Sequence, residues 1–370
     1  MTKWALASAR LVNQCIAGAV CRTPRDVVRS LGAVQAQDYA GSLWAIGMRM
    51  GRATEDVIER EIADSGIIRT WALRGTLHFV AAEDIRWILT LAAPGVIARN
   101  ARRYTQLELD DKTLSAAESI LVRSLRDGRQ LIRKELAAAL EEAGISTAGQ
   151  RMVYMLQKAS LDRLICFGAR RGKEFTHRLL DEGTHPAGNL ERDRALAELA
   201  GRYFTSHGPA ALQDYIWWSG LPAADARQGL ESVKGNLAQE VFDGETFWSA
   251  PPGNAADRNA PRGRADQHNP ASAWLLPCFD EYVVGYTDRR AILGARHASR
   301  SGNGLLHPTI AVGGRRAGTL IAGTWTRTIR KNEVVVSASP FSPLSKADTQ
   351  AVSAAVTRYG DFLKMPAVLS

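Results

Sequence analysis

Gln35 and Gln37 stand two positions apart in the run LGAVQAQDYAGSLWAIG. In an extended segment residues i and i+2 face the same way, so the two carboxamides point to one side and Ala36 and Asp38 to the other. Such a pair offers four N–H donors and two acceptor oxygens without carrying charge. It can hold a water, a base edge or a sugar; the same spacing also suits a half-exposed pair on a surface strand. A second stretch, RTWALRGTLHFV, sets Arg69 and Trp71 on one face and Thr70 and Arg74 on the other, with His78 beyond the Gly75 hinge. Arg69, Arg74 and His78 are expected to grip phosphates, and Trp71 to support a base or the floor of a cleft. A Trp that anchors the strands to their helices, among solvated arginines, satisfies the same pattern.

Other chemistry is poorly supplied. The seven histidines include His185-Pro186 and His307-Pro308 but show no His-x-x-x-His spacing, and the four cysteines form no CxxC pair. No metal is therefore expected. No glycine-rich loop opens a helix in the phosphate-binding patterns, so no nucleotide cofactor is expected. GGRRAG at 313–318 is instead expected to join two strands, presenting Arg315 and Arg316 at a hairpin tip that can enter a groove. LLPCFDEYVVGYTDRR holds Asp280, Glu281 and Asp288 near Arg289 and Arg290. Read as a strand, it turns Asp280 and Glu281 to opposite faces, which favours ion pairing to the arginines over acid–base work. Trp217 and Trp218 sit on a helix with Tyr215 and Ile216 and suit a core.

The formal charge is +9 and the pI about 9.6, and most of the 47 basic residues are arginine. Guanidinium forks match phosphate oxygens and stay charged, so a polyanionic partner is expected. The surplus is concentrated at the two ends, residues 1–109 and 270–370. Four scattered cysteines suit a reducing cytoplasm. The N-terminal MTKWALASARLVNQ lacks a secretory apolar core, and no run is long enough to span a membrane.

Helical periods over 5–17, from Thr23-Pro24 to Gly32, and from Thr54 to Gly66 precede two strand-like runs hinged at Gly75. That order is a winged helix-turn-helix. It recurs with helices over 116–126, 131–143 and 150–162 and a hairpin tipped by Gly-Ala-Arg-Arg-Gly. It recurs again with helices over 191–206, in ALQDYIWWSGL and in PAADARQGLESVK, followed by strands in NLAQEVFDGETFWSA. Residues 251–270 have no apolar period and read as a linker. Beyond them strand-like runs dominate until a final helix at about Ser345–Leu363.

The strings LGAVQAQD, RTWALRGTLHFV with AEDIRWI, DYIWWSGL, LLPCFDEYVVGYTDR and HPTIAVGGRRAGT, in this order, resemble the winged-helix DNA glycosylases of the AlkZ/YcaQ type along the full length. The resemblance implies an α+β fold of three tandem winged helices (1–109, 110–190 and 191–250) and a C-terminal β-barrel with a terminal helix (271–370), arranged as a C-shaped clamp on double-stranded DNA. Its catalytic signature is Gln-apolar-Gln in one branch and Gln-apolar-Asp in the other, and Gln35-Ala36-Gln37 matches the former, the AlkZ-like branch. That branch is linked to unhooking DNA crosslinks of a genotoxic natural product. The implied enzyme is a monofunctional, monomeric glycosylase of N7-alkylated purines, without cofactor. Gln37 orients the attacking water, and Gln35 holds the sugar or assists that water. Arg69, Trp71, Arg74, His78, Arg289, His307, Arg315 and Arg316 are then the expected DNA contacts. The alternative is a non-catalytic winged-helix regulator, which should prefer one sequence, often as a dimer on spaced half-sites.

Overall fold

The computed structural model describes residues 2–18, 21–182, 188–251, 272–293, 307–313 and 320–370. His185, Arg315 and Arg316 lie outside them, as do nearly all of the 251–270 linker and the 313–318 turn. After an opening helix α1 (Lys3–Asn13), α2 (Pro24–Leu31) starts where Thr23 signals it. Thr23 Oγ1 accepts from the Asp26 N–H at 3.1 Å and Asp26 Oδ2 accepts from the Thr23 N–H at 3.0 Å, a reciprocal cap. Then come β1 (Val34–Gln35), α3 (Tyr39–Gly47), α4 (Glu55–Ala63), β2 (Ile67–Trp71) and β3 (Leu77–Ala81), paired in the order β1-β3-β2.

Two helices here carry no sequence sign. In α3, Gly41 through Gly47 are all buried. Its Trp44 ring lies 5.1 Å from both Tyr359 and Phe362, and its Nε1–H donates to the Leu275 carbonyl at 2.6 Å. A helix enclosed on every side has no apolar–polar period to read. The second is α5 (Ile85–Gln106), 22 residues long with Pro94 inside it. The Pro-Gly pair at 94–95 reads locally as a break.

The same element order returns as α6 (Asp111–Leu125), β4 (Leu131–Ile132), α7 (Arg133–Glu142), α8 (Arg151–Leu161), β5 (Ile165–Arg171) and β6 (Glu174–Leu179), with the same sheet order, β4-β6-β5. The hairpin turns at Gly172-Lys173, at the end of the expected Gly-Ala-Arg-Arg-Gly tip, since β5 runs on to Arg171 with an irregularity between Phe167 and Arg170. A third round comprises α9 (Arg192–Ser206), α10 (Leu212–Ser219), α11 (Ala223–Val233), β7 (Ala238–Phe242) and β8 (Glu245–Ser249). Its short first strand shrinks to one antiparallel bridge between Ala210 and Trp248.

The C-terminal part holds β9 (Ala273–Leu276), the one-turn α12 (Glu281–Val284), β10 (Thr309–Val312), β11 (Ile321–Ile329), β12 (Val334–Pro340), α13 (Lys346–Leu363) and β13 (Ala367–Leu369). The sheet order is β13-β12-β11-β10-β9, so its two end strands are not paired. Yet α13 packs against both β9 and β13, which requires the sheet to curl round it. Of the two forms that these strand-like runs allow, a small barrel or a curled sheet with one helix, the described residues form the second, an open half-barrel with the helix as its filling. The helices α2, α3 and α4 share one apolar core with this half-barrel, whereas α5 and the β2–β3 hairpin share another with α9–α11.

One polar joint fixes the half-barrel to the first unit. Arg49, 1% exposed, donates Nη1–H to Asp280 Oδ2 at 2.8 Å and Nη2–H to Asp280 Oδ1 at 2.9 Å. Its remaining N–H groups reach the Ala45 carbonyl at 2.7 Å, and the Gln14 carbonyl and Gln14 Oε1 at 3.0 Å each. All five donors are used, which is what permits a guanidinium to be buried. Asp280 therefore does meet an arginine, but a distant one rather than Arg289 or Arg290, and it begins a helix rather than lying in a strand. Replacing Arg49 by Met is expected to cost about 3–5 kcal/mol by stranding the Asp280 charge. Urea unfolding of Arg49→Met beside an Arg49→Met/Asp280→Leu double variant checks this: the second substitution should restore a large part of the loss.

Candidate active site

The dyad begins at β1, only two residues long, whose register is set by β3: Val34 faces Phe79 and Gln35 faces His78. Gln35 is buried at 8% exposure, Ala36 is fully buried and Gln37 is exposed. The two carboxamides meet as their spacing predicts, with Gln35 Nε2 donating to Gln37 Oε1 at 2.5 Å. Asp38 turns away because it caps α3, accepting the Gly41 N–H at 3.1 Å.

Arg74 decides which way the amides point. Its Nη2–H donates to Gln35 Oε1 at 3.2 Å, and its Nη1–H to the Trp218 carbonyl. A guanidinium can only donate, so the Gln35 atom facing it must be the oxygen. Gln35 Nε2 then faces Gln37, which must present its own oxygen. The chain Arg74–Gln35–Gln37 is a directed relay that leaves the second lone pair of Gln37 Oε1 and its amide N–H groups for a ligand. Arg74 reaches this position from a left-handed backbone (φ 58°) in the turn between β2 and β3. Such a conformation costs a non-glycine residue some strain. Gly220 (φ 68°) makes room for it: a Cβ there would lie 2.9 Å from Arg74 Cγ.

The peptide between the glutamines is held from the opposite side. Arg69, 5% exposed, donates from Nε and Nη2 to the Ala36 carbonyl at 3.2 and 3.0 Å. Its guanidinium lies 4.3 Å from the Phe175 ring centroid and 4.7 Å from that of Phe167. Burial draws its pKa down to about 10, so it remains charged at neutral pH. Arg69 thus positions the dyad rather than gripping phosphate. His78 is also corrected: it is fully buried, with Nδ1–H donating to the Thr76 carbonyl at 2.9 Å. Burial, with the Arg74 charge behind it, pushes its pKa down to about 4. Trp71 is half-buried against Phe167, 5.2 Å between centroids. Arg289, half-buried, donates to the Val283 carbonyl at 2.9 Å, and His307 is exposed just before β10.

Glu281, which strand logic set aside, lies directly behind the dyad. It is fully enclosed on α12, where it accepts the Gln35 backbone N–H at 2.9 Å and the Trp218 Nε1–H at 2.9 Å. His207 Nε2 lies 3.5 Å from Oε2, the oxygen that also accepts from Trp218. Burial alone would raise its pKa, but His207, His78 and Arg74 outweigh burial and hold it down at about 2. Near neutral pH burial keeps both histidines uncharged, so there the Arg74 charge and the two N–H donors sustain the carboxylate, and the histidines add charge only where they protonate in acid. No sequence period announces a one-turn helix. Among the described residues no cluster of three His, Cys, Asp or Glu could hold a metal, and no helix is long and apolar enough to cross a membrane.

The fold that carries this dyad is shared with a solved DNA glycosylase. The chain superposes on Streptomyces sahachiroi DNA glycosylase AlkZ with a TM-score of 0.73 over the whole of both chains, at 20% identity, which is a likeness of fold. A curated relative from the same organism, an interstrand DNA cross-link repair glycosylase, is 25% identical over 381 residues and 92% of each chain. Residues 28–362 match the family model "DNA glycosylase AlkZ-like", and the chain belongs to that family of DNA glycosylases.

These buried groups make stability depend on pH with a definite sign. The folded pKa of His78 (about 4) lies below its ordinary 6.5, and His177 behaves alike. Only the unfolded chain takes up these protons above pH 4, so stability falls as pH drops from 6.5 toward 4. The Glu281 pKa lies below its ordinary 4.5, so its contribution is present above that pH and is lost as pH falls toward 2. Urea unfolding across pH should show the upper slope reduced in His78→Gln and the lower one reduced in Glu281→Gln. An upper slope that His78→Gln leaves unchanged contradicts a buried neutral His78, whereas the wild-type slope alone does not, because Glu118, raised to about 7 chiefly by burial, acts with the opposite sign over the same range.

Proposed function

We propose that this protein hydrolyses the N-glycosidic bond of N7-alkylated purines in duplex DNA, and that bulky and crosslinked adducts are among its substrates; the relative from Streptomyces sahachiroi is a glycosylase of interstrand DNA cross-link repair. The observation that carries the mechanism is the directed relay ending at the exposed Gln37. An N7-alkylated purine is cationic and leaves without prior protonation, so no strong general acid is needed. What remains is to orient water at the anomeric carbon and to stabilise an oxocarbenium-like sugar.

Gln37 Oε1 accepts one hydrogen of the attacking water, which directs the water's lone pair at the sugar. Gln35 does not meet the sugar; it holds Gln37, and Arg74 holds Gln35. The proton released on attack passes to solvent, since an amide does not keep it. Charge balance favours the same substrate class. A bare Arg74 beside the dyad would repel a cationic base and sugar, but the buried Glu281 carboxylate offsets it. Bulky lesions that protrude into a groove can be reached without extruding the base.

We further read the three repeated units as winged helices and the assembly as a monomeric C-shaped clamp, with basic surface supplying affinity through phosphate neutralisation. Membership of a glycosylase family sets aside the non-catalytic regulator. Two substitutions test the relay on duplexes carrying N7-alkylguanine. Gln37→Ala should lose about a hundredfold or more in base release while DNA binding is retained; unchanged turnover ends its assignment. Arg74→Met should lower turnover by about tenfold through disorder of both amides, with KM little changed. A loss confined to KM would return Arg74 to a role in DNA affinity.

A further inference from the structure

Two of the four cysteines meet where α1 joins the Arg49 contact. Cys15 follows the end of α1, and its N–H donates to the Val12 carbonyl at 2.9 Å. Cys21 leads into α2 and bridges Met50 in parallel, its N–H donating to the Arg49 carbonyl at 3.0 Å. The two thiols share a hydrogen bond. Both cysteines are half-buried, so the pair is not sealed from a small reagent. Cys15 has a left-handed backbone, φ 56°. Past the end of a helix glycine or asparagine usually takes that conformation, and a cysteine there costs some strain. Gln14, immediately before it, accepts from Arg49 through its carbonyl and its Oε1 at 3.0 Å each. The two cysteines therefore flank one arginine, one beside its side-chain partner and the other on its carbonyl.

The two thiols are unlike. The hydrogen bond with Cys21 draws the Cys15 thiol below its usual range; burial works against this and the Arg49 charge with it. The same bond, with burial behind it, pushes the Cys21 thiol up. One sulfur thus has thiolate character while its neighbour keeps the proton, the polarity of an attacking and a resolving cysteine. Cys166, fully buried, and Cys278, half-buried, both have thiols pushed up to about 11, chiefly by burial. Among the described residues no group of three His, Cys, Asp or Glu could take the pair into a metal site.

We infer that Cys15 and Cys21 form a reversible disulfide when a hydroperoxide reaches them. The Cys15 thiolate attacks a peroxide oxygen: an S–O bond forms, the O–O bond breaks, and the departing oxygen takes up the proton that Cys15 gave up. The Cys21 sulfur then attacks the Cys15 sulfur: the S–S bond forms, the S–O bond breaks, and hydroxide leaves with the Cys21 proton as water. Two thiols have lost two electrons and the peroxide has gained them. A dithiol reverses the step by exchange. The bond ties the end of α1 to the chain entering α2, across Arg49. None of this rests on the glycosylase proposal.

Trypsin releases residues 11–22 as one peptide that carries both cysteines, which makes mass spectrometry a direct test. The full chain is treated with hydrogen peroxide, blocked with iodoacetamide in urea and digested. We expect this peptide to lose two hydrogens and take up no blocking group, while Cys166 and Cys278 are alkylated. Dithiothreitol before blocking should restore both thiols. The native chain should form the bond at least about tenfold faster than the chain unfolded in urea, because the fold sets the thiols in contact. In Cys21→Ser, dimedone should trap a sulfenic acid on Cys15; in Cys15→Ser, Cys21 should remain a thiol over the same time. Both thiols still alkylated after prolonged exposure, a sulfinic acid on Cys15 beside a free Cys21, or an equal rate in urea overturns the inference. These three outcomes are read on the unsubstituted chain and decide the matter if either variant fails to fold.

Discussion

The candidate site depends on one buried carboxylate. Glu281 comes from the C-terminal part, yet its hydrogen bonds go to the Gln35 backbone in the first unit and to Trp218 in the third, with His207 at the end of α9 beside it. An enclosed charge of this kind is costly unless donors fill its lone pairs. Those donors lie 246 and 63 residues away in sequence, so the carboxylate is tolerable only when all three parts have docked. A two-residue strand such as β1 could not fix its own register. Docking fixes it, which makes the Gln35–Gln37 geometry a property of the assembled chain.

Arginine does a second kind of work here besides the phosphate contact its abundance suggests. Arg49 joins Asp280 to Ala45 and Gln14, and Arg10 donates to the Pro209 carbonyl while facing Asp214 at 3.5 Å. Arg69 and Arg74 hold the carbonyls of Ala36 and Trp218. A planar fork of five donors can satisfy several carbonyl oxygens that converge where elements meet, and lysine cannot copy that geometry. Part of the basic surplus is therefore internal scaffolding, and a net charge of +9 overstates what the surface can offer a polyanion.

What was legible in the sequence follows from the range of the interactions involved. The Thr23 cap, the helix ending at Leu363 and the hairpins after residues 66 and 237 are local, and residue type and period announce them. The shared side of Gln35 and Gln37 was legible for the same reason. By contrast, α3 lost its period to burial on every face, and Pro94 disguised α5. Glu281 was misread because a strand was assumed where Asp280 instead caps a one-turn helix. Arg69 and His78 looked like phosphate ligands because nothing in RTWALRGTLHFV says that the second unit closes over the one and α12 approaches the other. The strand-like runs left a small barrel and a curled sheet with one helix equally open, since whether β9 meets β13 depends on how far a sheet curls round α13.

The protonation states around the dyad also limit the chemistry it can perform. Carboxamides do not titrate, His78 and His207 are kept neutral by burial, and Glu281 is kept charged and faces away from solvent. Near neutral pH, then, none of these groups is poised to give a proton to a departing base or to take one fully from water. Such a site can lower a barrier through fixed dipoles and position alone. That suffices for a leaving group that already bears positive charge and fails for a neutral purine, whose departure needs protonation. Under the proposed function the burial that makes the three parts cohere leaves these groups without acid–base work, which is why the proposal takes a base already activated by its own damage.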